Sequence, residues 1–554
     1  MSDQEIPKVS IEDVDAAVAA LDEVVREAIA AAARTTDGGK AIDEHQVHSE
    51  RVAYVATEAL AARALANYAR EAGAAGVDPA LLIDEAAVFV GEATARLSGH
   101  LAAAGDAFGL APGLVGKTIG SDQSRARIQL CAHEARVRAI GRRTAENRGV
   151  NNHWLPEEDA VMVRDSVRAF AAAEVAPLAQ EIHRRDELVP DSLIEAMAAM
   201  GYFGMSAPEQ YGGLGMGNLA MIVTTEELSR VSLAAAGSLI TRPEILTKAL
   251  LKGGTEEQKR KWLEPVAAGR LMVGIAVTEP DTGSDVASVA CRAERAEVGG
   301  RAGWLINGAK AWCTFAGRAN VLALLARTDP DSRSGARGLS LFIVEKDPFY
   351  GHEFEMRQSG GGVLHGKADA TPGYRGMHSY TLSFENHFVD GDNLIGGESG
   401  LNKGFYLQMN GFAAGRLQTG GRAAGLAQAA LEAAAGYAAD RRQFGSPLIG
   451  FQLTQYKLGR MAVQTQAARQ ISYFAARAMD ADETISLQPA MAKLLACDVA
   501  VAVTQEGQLL HGGWGYAEEY PISRYVVDAT VLPIFEGVKP ILELKVIARQ
   551  LLAA

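Results

Sequence analysis

The chain has 554 residues, a net charge of −13 and four cysteines that stand far apart without a CxxC pair. Its length exceeds what one hydrophobic core supports and predicts roughly three or four domains. The acidic balance without a basic run argues against nucleic-acid binding, and the cysteine spacing argues against a zinc site or a disulfide framework.

The N-terminal sequence MSDQEIP lacks a basic region followed by an apolar core, so it does not resemble a signal peptide. No run of the chain reaches the ~18 apolar residues that a membrane span needs. These features predict a soluble, cytoplasmic protein with no membrane partner.

Helical patterns occupy the first half of the chain. Residues 11–143 are rich in Ala, Glu, Arg and Leu, with apolar residues at helical spacing. The segment 146–156 contains asparagines, a glycine and a proline, and it predicts a linker. Residues 157–270 are again predicted as helical, with a turn-rich interruption at 208–215.

The second half changes from strands to long helices. Short runs separated by Gly, Asp and Pro predict strands at residues 321–326, 339–344 and 380–384. Runs long enough for a four-helix bundle lie at residues 423–441, 452–479 and 490–510. The predicted fold class is mainly α with a central β domain. The predicted domains span residues 1–150, 151–270, 271–400 and 401–554.

Several common functional motifs are absent. The chain has no GxGxxG, which disfavours a Rossmann dinucleotide fold, and it has neither HExxH nor GxSxG. Residues 113–118 (GLVGKT) resemble a phosphate loop, but Ala111 stands where that pattern needs its first glycine. Because the surroundings are helical, we interpret this segment as a connection between helices.

Two segments together suggest a flavin site with a glutamate base. Residues 278–285 (TEPDTGSD) follow an apolar run, and their hydroxyls and backbone N–H groups can face a phosphate or a ring edge. Glu536 is a lone carboxylate among apolar residues, an environment that suits a general base. Taken alone, the first segment is also typical of an ordinary turn, and Glu536 is also typical of a structural carboxylate.

Three further segments fit the same site. Trp312 and Thr314 are predicted on one face of a strand, where an indole and a hydroxyl can flank a planar ring; a single buried Trp is the alternative. Arg441 and Phe444 stand at the end of a predicted helix, as a cation and an aromatic suited to pyrophosphate and adenine. The alternative is that the basic residue only interacts with the dipole at the C-terminus of the helix. The glycines of residues 511–516 (HGGWGY) allow close backbone approach, or form a loop between helices.

As a set, these motifs resemble those of the acyl-CoA dehydrogenase family. The resemblance covers residues 156–554, and it implies a helical domain, a β-barrel-like middle domain and a C-terminal four-helix bundle, with FAD between the last two. The matching segments are Tyr211-Gly-Gly, Thr278-Glu-Pro with Gly-Ser-Asp, Trp312-Cys-Thr, Arg441-x-x-Phe and Phe535-Glu-Gly. Residues 1–150 would then be an extra N-terminal helical domain.

The resemblance also implies which residues bind FAD. It assigns the flavin ring to Thr278, Thr314 and Trp312, and phosphate or pantetheine to Ser284. Two nearby positions depart from the family pattern: Leu509 stands where Gln is frequent, and Val538 stands where Thr is frequent. Both departures concern FAD contacts and leave the base unchanged.

The implied chemistry is α,β-dehydrogenation of an acyl-CoA thioester. Glu536 would remove the α-proton while the β-hydrogen leaves as hydride to the flavin. Some relatives carry the base at the position of Gly415, which cannot serve here. Arg441, Phe444 and the loop around Gly513 would reach the FAD of a neighbouring subunit.

Two features suggest the substrate. The N-terminal addition and an insertion-like run at 358–375 are similar to those of family members that act on a branched dicarboxylic acyl-CoA, and they predict (2S)-methylsuccinyl-CoA. A carboxylate in an apolar pocket needs arginines, because burying it unpaired is costly. Arg242 is the first candidate, and Arg375 and Arg416 are weaker ones, for which a salt bridge or a surface charge is the alternative.

The resemblance implies an electron-transferring flavoprotein as electron acceptor and at least a dimer. We expect a homodimer, because the N-terminal addition would cover the surface that relatives use to pair two dimers. The alternatives are a dehydrogenase of a monocarboxylic acyl-CoA, a flavin oxidase or monooxygenase, and a non-enzymatic binding relative.

Overall fold

The computed structural model describes residues 6–111 and 113–553, without the side chains of residues 106 and 107. The chain divides into two compact units, one of residues 1–162 and 419–554 and the other of residues 163–418. The N-terminal residues, predicted as a domain of their own, therefore belong to the same unit as the C-terminal helices.

The prediction of helices over residues 11–143 is confirmed. The helices are α1 Ile11–Thr35, α2 Gln46–Ala74, α3 Pro79–Ala104, α4 Leu114–Lys117, α5 Asp122–Cys131 and α6 Glu134–Glu146. Helix α1 begins at a capping box, in which the Ser10 hydroxyl and the Asp13 carboxylate each accept the other residue's backbone N–H. The segment resembling a phosphate loop contains the single-turn helix α4 and follows a helix rather than a strand.

The second unit opens with helices and continues into a sheet. The helices are α7 Glu158–Phe170, α8 Ala176–Arg185, α9 Asp191–Ala199, α10 Gly217–Val231, α11 Thr241–Gly253 and α12 Glu256–Ala267. The strands are β1 Val273–Ala276, β2 Arg292–Val298, β3 Arg301–Thr314, β4 Val321–Arg327, β5 Leu339–Glu345, β6 Glu353–Arg357, β7 Val363–Ala368 and β8 Ser379–Asp390. All three predicted strands are present, as β4, β5 and β8.

The eight strands form one sheet in the order β1-β4-β2-β3-β8-β7-β6, with β5 paired to β4. Strand β4 is buried along its whole length because cores lie on both of its faces: Leu322 and Leu324 enter one, and Val321 and Leu325 enter the other. The long β3–β8 pairing shifts register between Lys310 and Cys313. This bulge lies where Trp312 interrupts the strand.

The C-terminal segment is helical, as predicted. It contains α13 Gly397–Gly400, α14 Gly404–Asp440, a small hairpin of β9 Arg442–Gln443 and β10 Ser446–Pro447, then α15 Gln452–Ala481, α16 Leu487–His511, α17 Pro521–Ala529, α18 Lys539–Ile541 and α19 Arg549–Ala553. Among the described residues, the segment Leu487–Tyr516 passes a length and composition test for a membrane span, but 72% of its most apolar window is buried. Such burial is that of a core helix in a helical bundle.

Helix α6 approaches α15 so closely that both need glycine at the contact. A Cβ on Gly141 would lie 1.7 Å from the Gln455 carbonyl oxygen, and one on Gly459 would lie 2.0 Å from the Val137 carbonyl oxygen. No side chain fits at these distances, so the two backbones are in direct contact. The N-terminal helices are therefore an integral part of the first unit.

We expect Gly141→Leu to lower the free energy of unfolding by about 2–3 kcal/mol, because the new side chain must push α6 away from α15. The urea midpoint followed by circular dichroism measures this change. Gly436→Ala, in α14, is the matched control, since its added Cβ would meet nothing within 4 Å and alanine favours the helix by about 1 kcal/mol. Equal midpoints for Gly141→Leu and the unmodified protein would contradict the close packing.

Candidate functional site

The predicted site residues lie in both units, and the second unit carries the loop that follows β1. In this loop Glu279, 8% exposed, accepts hydrogen bonds from the Lys310 ammonium at 2.8 Å and from the backbone N–H groups of Ala290 and Cys291. Lys310 is fully buried. The Glu279–Lys310 pair was not foreseen from the sequence, and it anchors the loop at the residue that follows Thr278. Ser284, further along the loop, is exposed.

The Thr278 backbone is joined to strand β3, because its carbonyl accepts from the Ala311 N–H at 2.8 Å. The next residue, Trp312, has a left-handed backbone with φ of 58° and an indole that is 60% exposed. Such a conformation is strained for a bulky residue and is typical of functional sites. Thr314 is half-buried and shares a 3.0 Å hydrogen bond with the Ser379 hydroxyl.

The cysteines beside this segment are unreactive thiols. Burial raises the pKa of the Cys313 thiol to about 12 and that of Cys291 to about 11, so both stay protonated at neutral pH. Neither thiol is therefore suited to act as a nucleophile. The exposed indole and the nearby hydroxyls are the groups that can meet a ligand.

Arg242 is a buried cation near the start of α11. It is 4% exposed, donates to the Ser238 carbonyl at 2.9 Å and lies 5.9 Å from the centre of the Tyr374 ring. Among the described residues, no carboxylate forms an ion pair with Arg242. Because a guanidinium carries five N–H donors, it can still bind a carboxylate brought by a ligand.

Arg375, at the end of the insertion-like run, is already engaged. It donates to the carbonyls of Thr371 and His183, both at 3.2 Å, and lies 3.8 Å from Asp186. The same carboxylate is 3.1 Å from His378, where burial lowers the pKa of the imidazole and Asp186 opposes that shift. These contacts suit Arg375 to holding the loop. Arg416 is half-buried on α14.

In the first unit, Glu536 lies in a short loop before α18. Its φ is 54°, its neighbour Gly537 also has positive φ, and its side chain is half-buried. The ring of the preceding Phe535 lies 4.6 Å from the guanidinium of Arg422, which is fully buried. The residue before Glu536 is therefore packed against a buried arginine of the same unit.

The remaining predicted residues of this unit lie on its surface. Phe444, at the turn of the β9–β10 hairpin, is 96% exposed and has φ of 51°. Arg441 is also exposed, and a Cβ on Gly513 would meet nothing within 4 Å. An aromatic side chain this exposed is suited to contact with another molecule.

The residues present fit a flavin nucleotide. Taken by itself, the second unit offers an exposed indole with hydroxyl groups from Thr278, Thr314 and Ser284. Taken by itself, the first unit offers an exposed cation and aromatic at Arg441 and Phe444. These groups match the ring, phosphate and adenine parts of FAD. Glu536 carries a carboxylate, a group of the type that can act as a general base.

Comparison with known proteins agrees with this chemistry. Models of the N-terminal, middle and C-terminal domains of acyl-CoA dehydrogenases match residues 157–270, 274–387 and 402–552. A (2S)-methylsuccinyl-CoA dehydrogenase of Cereibacter sphaeroides is 43% identical over 396 residues, which are 72% of this chain and 70% of the relative.

Two solved structures show the same fold. A glutaryl-coenzyme A dehydrogenase in complex with glutaryl-CoA aligns with a TM-score of 0.64 and 30% identity, covering 71% of this chain and 95% of the other. A chain of the structure described as the electron transferring flavoprotein of Acidaminococcus fermentans aligns with a TM-score of 0.63 and 30% identity, covering 71% and 97%. With three domain models matched in order, the chain belongs to the acyl-CoA dehydrogenase family of FAD-dependent oxidoreductases.

Proposed function

We propose that this protein oxidises (2S)-methylsuccinyl-CoA to mesaconyl-CoA, as a cytoplasmic step of the ethylmalonyl-CoA pathway of acetate assimilation. The observation that carries the proposal is Arg242, a buried cation without a carboxylate partner among the described residues. A fatty-acyl chain gives such a cation nothing to bind, whereas a dicarboxylic thioester brings a carboxylate. The names of the relative from C. sphaeroides and of the glutaryl-CoA complex support this substrate class.

The proposed reaction breaks two C–H bonds and forms one C=C bond. The thioester acidifies its α-hydrogen, and the Glu536 carboxylate takes that proton. FAD, when bound, supplies the acceptor for the hydride of the β-carbon. The backbone N–H of Glu536 would donate to the thioester carbonyl and stabilise the negative charge that develops there.

The FAD contacts are proposed from the motif positions. Thr278, Thr314 and Trp312 would hold the flavin ring, and Ser284 would contact phosphate or pantetheine. Arg441, Phe444 and Gly513 would reach the FAD of a second subunit, which is consistent with the exposure of all three.

We further propose a homodimer that passes its electrons to an electron-transferring flavoprotein. The N-terminal helices pack on α15 of the C-terminal bundle, and there they would cover the face that relatives use to pair two dimers. The likeness to a chain in an electron transferring flavoprotein structure supports the acceptor. Light scattering should give twice the mass of one chain. A tetramer, with four times the mass of one chain, would contradict the dimer.

The experiment that tests the function is anaerobic bleaching of the flavin absorbance by a panel of thioesters. We expect rapid bleaching by methylsuccinyl-CoA and slow or no bleaching by succinyl-, butyryl-, isobutyryl- and glutaryl-CoA. Bleaching led by butyryl- or isobutyryl-CoA would keep the family and overturn the dicarboxylic substrate. Rapid reoxidation of the reduced flavin in air would favour an oxidase.

A further inference from the structure

The loop that carries Glu536 is closed by its own backbone. The Lys539 N–H donates to the Pro533 carbonyl at 2.9 Å, and the loop between them contains Glu536 in its left-handed conformation. A strained conformation persists only when its surroundings hold it. The position of the carboxylate therefore depends on what anchors the two ends of this loop.

Helix α16 supplies three anchors from two consecutive turns. The Lys493 ammonium, 1% exposed, donates to the Gly537 carbonyl at 2.5 Å, and the Cys497 thiol donates to the Leu532 carbonyl at 3.3 Å. The third anchor is Asp498, whose carboxylate accepts from the Lys539 ammonium at 2.6 Å. These contacts hold both the backbone and the last side chain of the loop.

The third anchor extends into the N-terminal helices. The Tyr54 hydroxyl of α2 donates to the same Asp498 carboxylate oxygen at 2.9 Å, and the Lys539 ammonium lies 5.1 Å from the centre of the Tyr54 ring. Burial and the Asp498 charge both raise the pKa of Tyr54, which keeps the hydroxyl protonated and able to donate. Tyr54 thus contacts both members of the ion pair that anchors the end of the loop.

We propose that Tyr54 is a positioning residue for the base, acting through Asp498 and Lys539. The N-terminal addition then contributes to catalysis by holding the loop of Glu536, besides covering a surface of the bundle. This inference rests on the proposed role of Glu536. It adds to that role a contribution from residues outside the three matched family domains, which begin at residue 157.

Tyr54→Phe in the full-length holoenzyme is the test, because it removes one hydroxyl and leaves the ring over Lys539. We expect the rate of flavin reduction by methylsuccinyl-CoA to fall about three- to tenfold, since small displacements of a reacting group lower rates steeply. The dissociation constant of the product, mesaconyl-CoA, should stay within about twofold, because Tyr54 is expected to move the base and not the binding groups. Backbone amides of residues 531–540 should exchange faster in hydrogen–deuterium exchange, a readout independent of turnover.

Tyr68→Phe is the matched control. It makes the same change on the same helix, where the hydroxyl donates to the Asn152 side chain at 2.9 Å, away from the base loop. Asp498→Asn should lower the rate more than Tyr54→Phe, because it weakens both contacts at once. If Tyr54→Phe matches Tyr68→Phe in rate and in amide exchange, the inference is wrong. If instead Glu536→Gln retains the unmodified rate, the proposed base is wrong, and the two failures are told apart.

Discussion

Replacing Glu536 with glutamine is expected to lower the rate of flavin reduction by methylsuccinyl-CoA about 10³- to 10⁴-fold, because general-base catalysis contributes up to that much. Glutamine has nearly the shape of glutamate, so the loop and its contacts with α16 should remain. An amide nitrogen in place of a carboxylate oxygen cannot accept the α-proton. Stopped-flow absorbance under anaerobic conditions measures the loss.

Binding distinguishes loss of the base from loss of the fold. The variant should keep its FAD, its thermal midpoint and its affinity for mesaconyl-CoA within about twofold. Glu506→Gln is the matched control, because that half-buried glutamate pairs with Lys457 in the same unit and takes no part in the base loop. A Glu536→Gln enzyme that reduces its flavin at the unmodified rate would remove the proposed mechanism.

Arg242→Met should change which thioester the enzyme prefers. We expect kcat/KM for methylsuccinyl-CoA to fall about 30- to 4,000-fold, since removing one partner of a buried charge pair costs about 2–5 kcal/mol and every 1.4 kcal/mol or so is tenfold. The efficiency with butyryl-CoA should stay equal or rise, because methionine replaces a buried cation with an apolar side chain. The kcat/KM of Arg242→Lys for methylsuccinyl-CoA should lie between those of Arg242→Met and the unmodified enzyme, since an ammonium keeps the charge without the bidentate geometry.

Arg270→Met is a suitable control, because Arg270 is an exposed residue of the same unit, paired with Glu264. Its effect on both substrates should be negligible. Equal losses for methylsuccinyl-CoA and butyryl-CoA in Arg242→Met would indicate a structural role for this arginine. A greater loss in Arg375→Met or Arg416→Met would assign the distal carboxylate to that residue instead.

The secondary structure was largely predictable because its signals are local. The apolar runs that became β4 and β5, and the long runs that became the helices α15 and α16, lie within a few residues of their predicted bounds. Periodicity depends only on which side chains share a face, and a single sequence displays it. The family was likewise predictable, because its motifs are short and their order along the chain is specific.

Tertiary contacts decided the features of the site that the sequence left open. The alternation of residues along a strand predicted Trp312 and Thr314 on one face. The structure adds a bulge, in which Trp312 has a left-handed backbone, and this bulge depends on the register of β3 against β8. Arg242 was a candidate by position, but only the fold shows that it is buried without a carboxylate partner among the described residues.

By itself, the sequence determined the family, the order of helices and strands and the identity of the candidate base. Only the tertiary structure showed two contacts: the pair of Lys310 with Glu279 of the loop after β1, 31 residues apart, and the contact of Tyr54 with Asp498, 444 residues apart. The physical reason is that hydrogen bonds and ion pairs between distant residues form only where packing and strand register bring them together, and no local pattern encodes that distance.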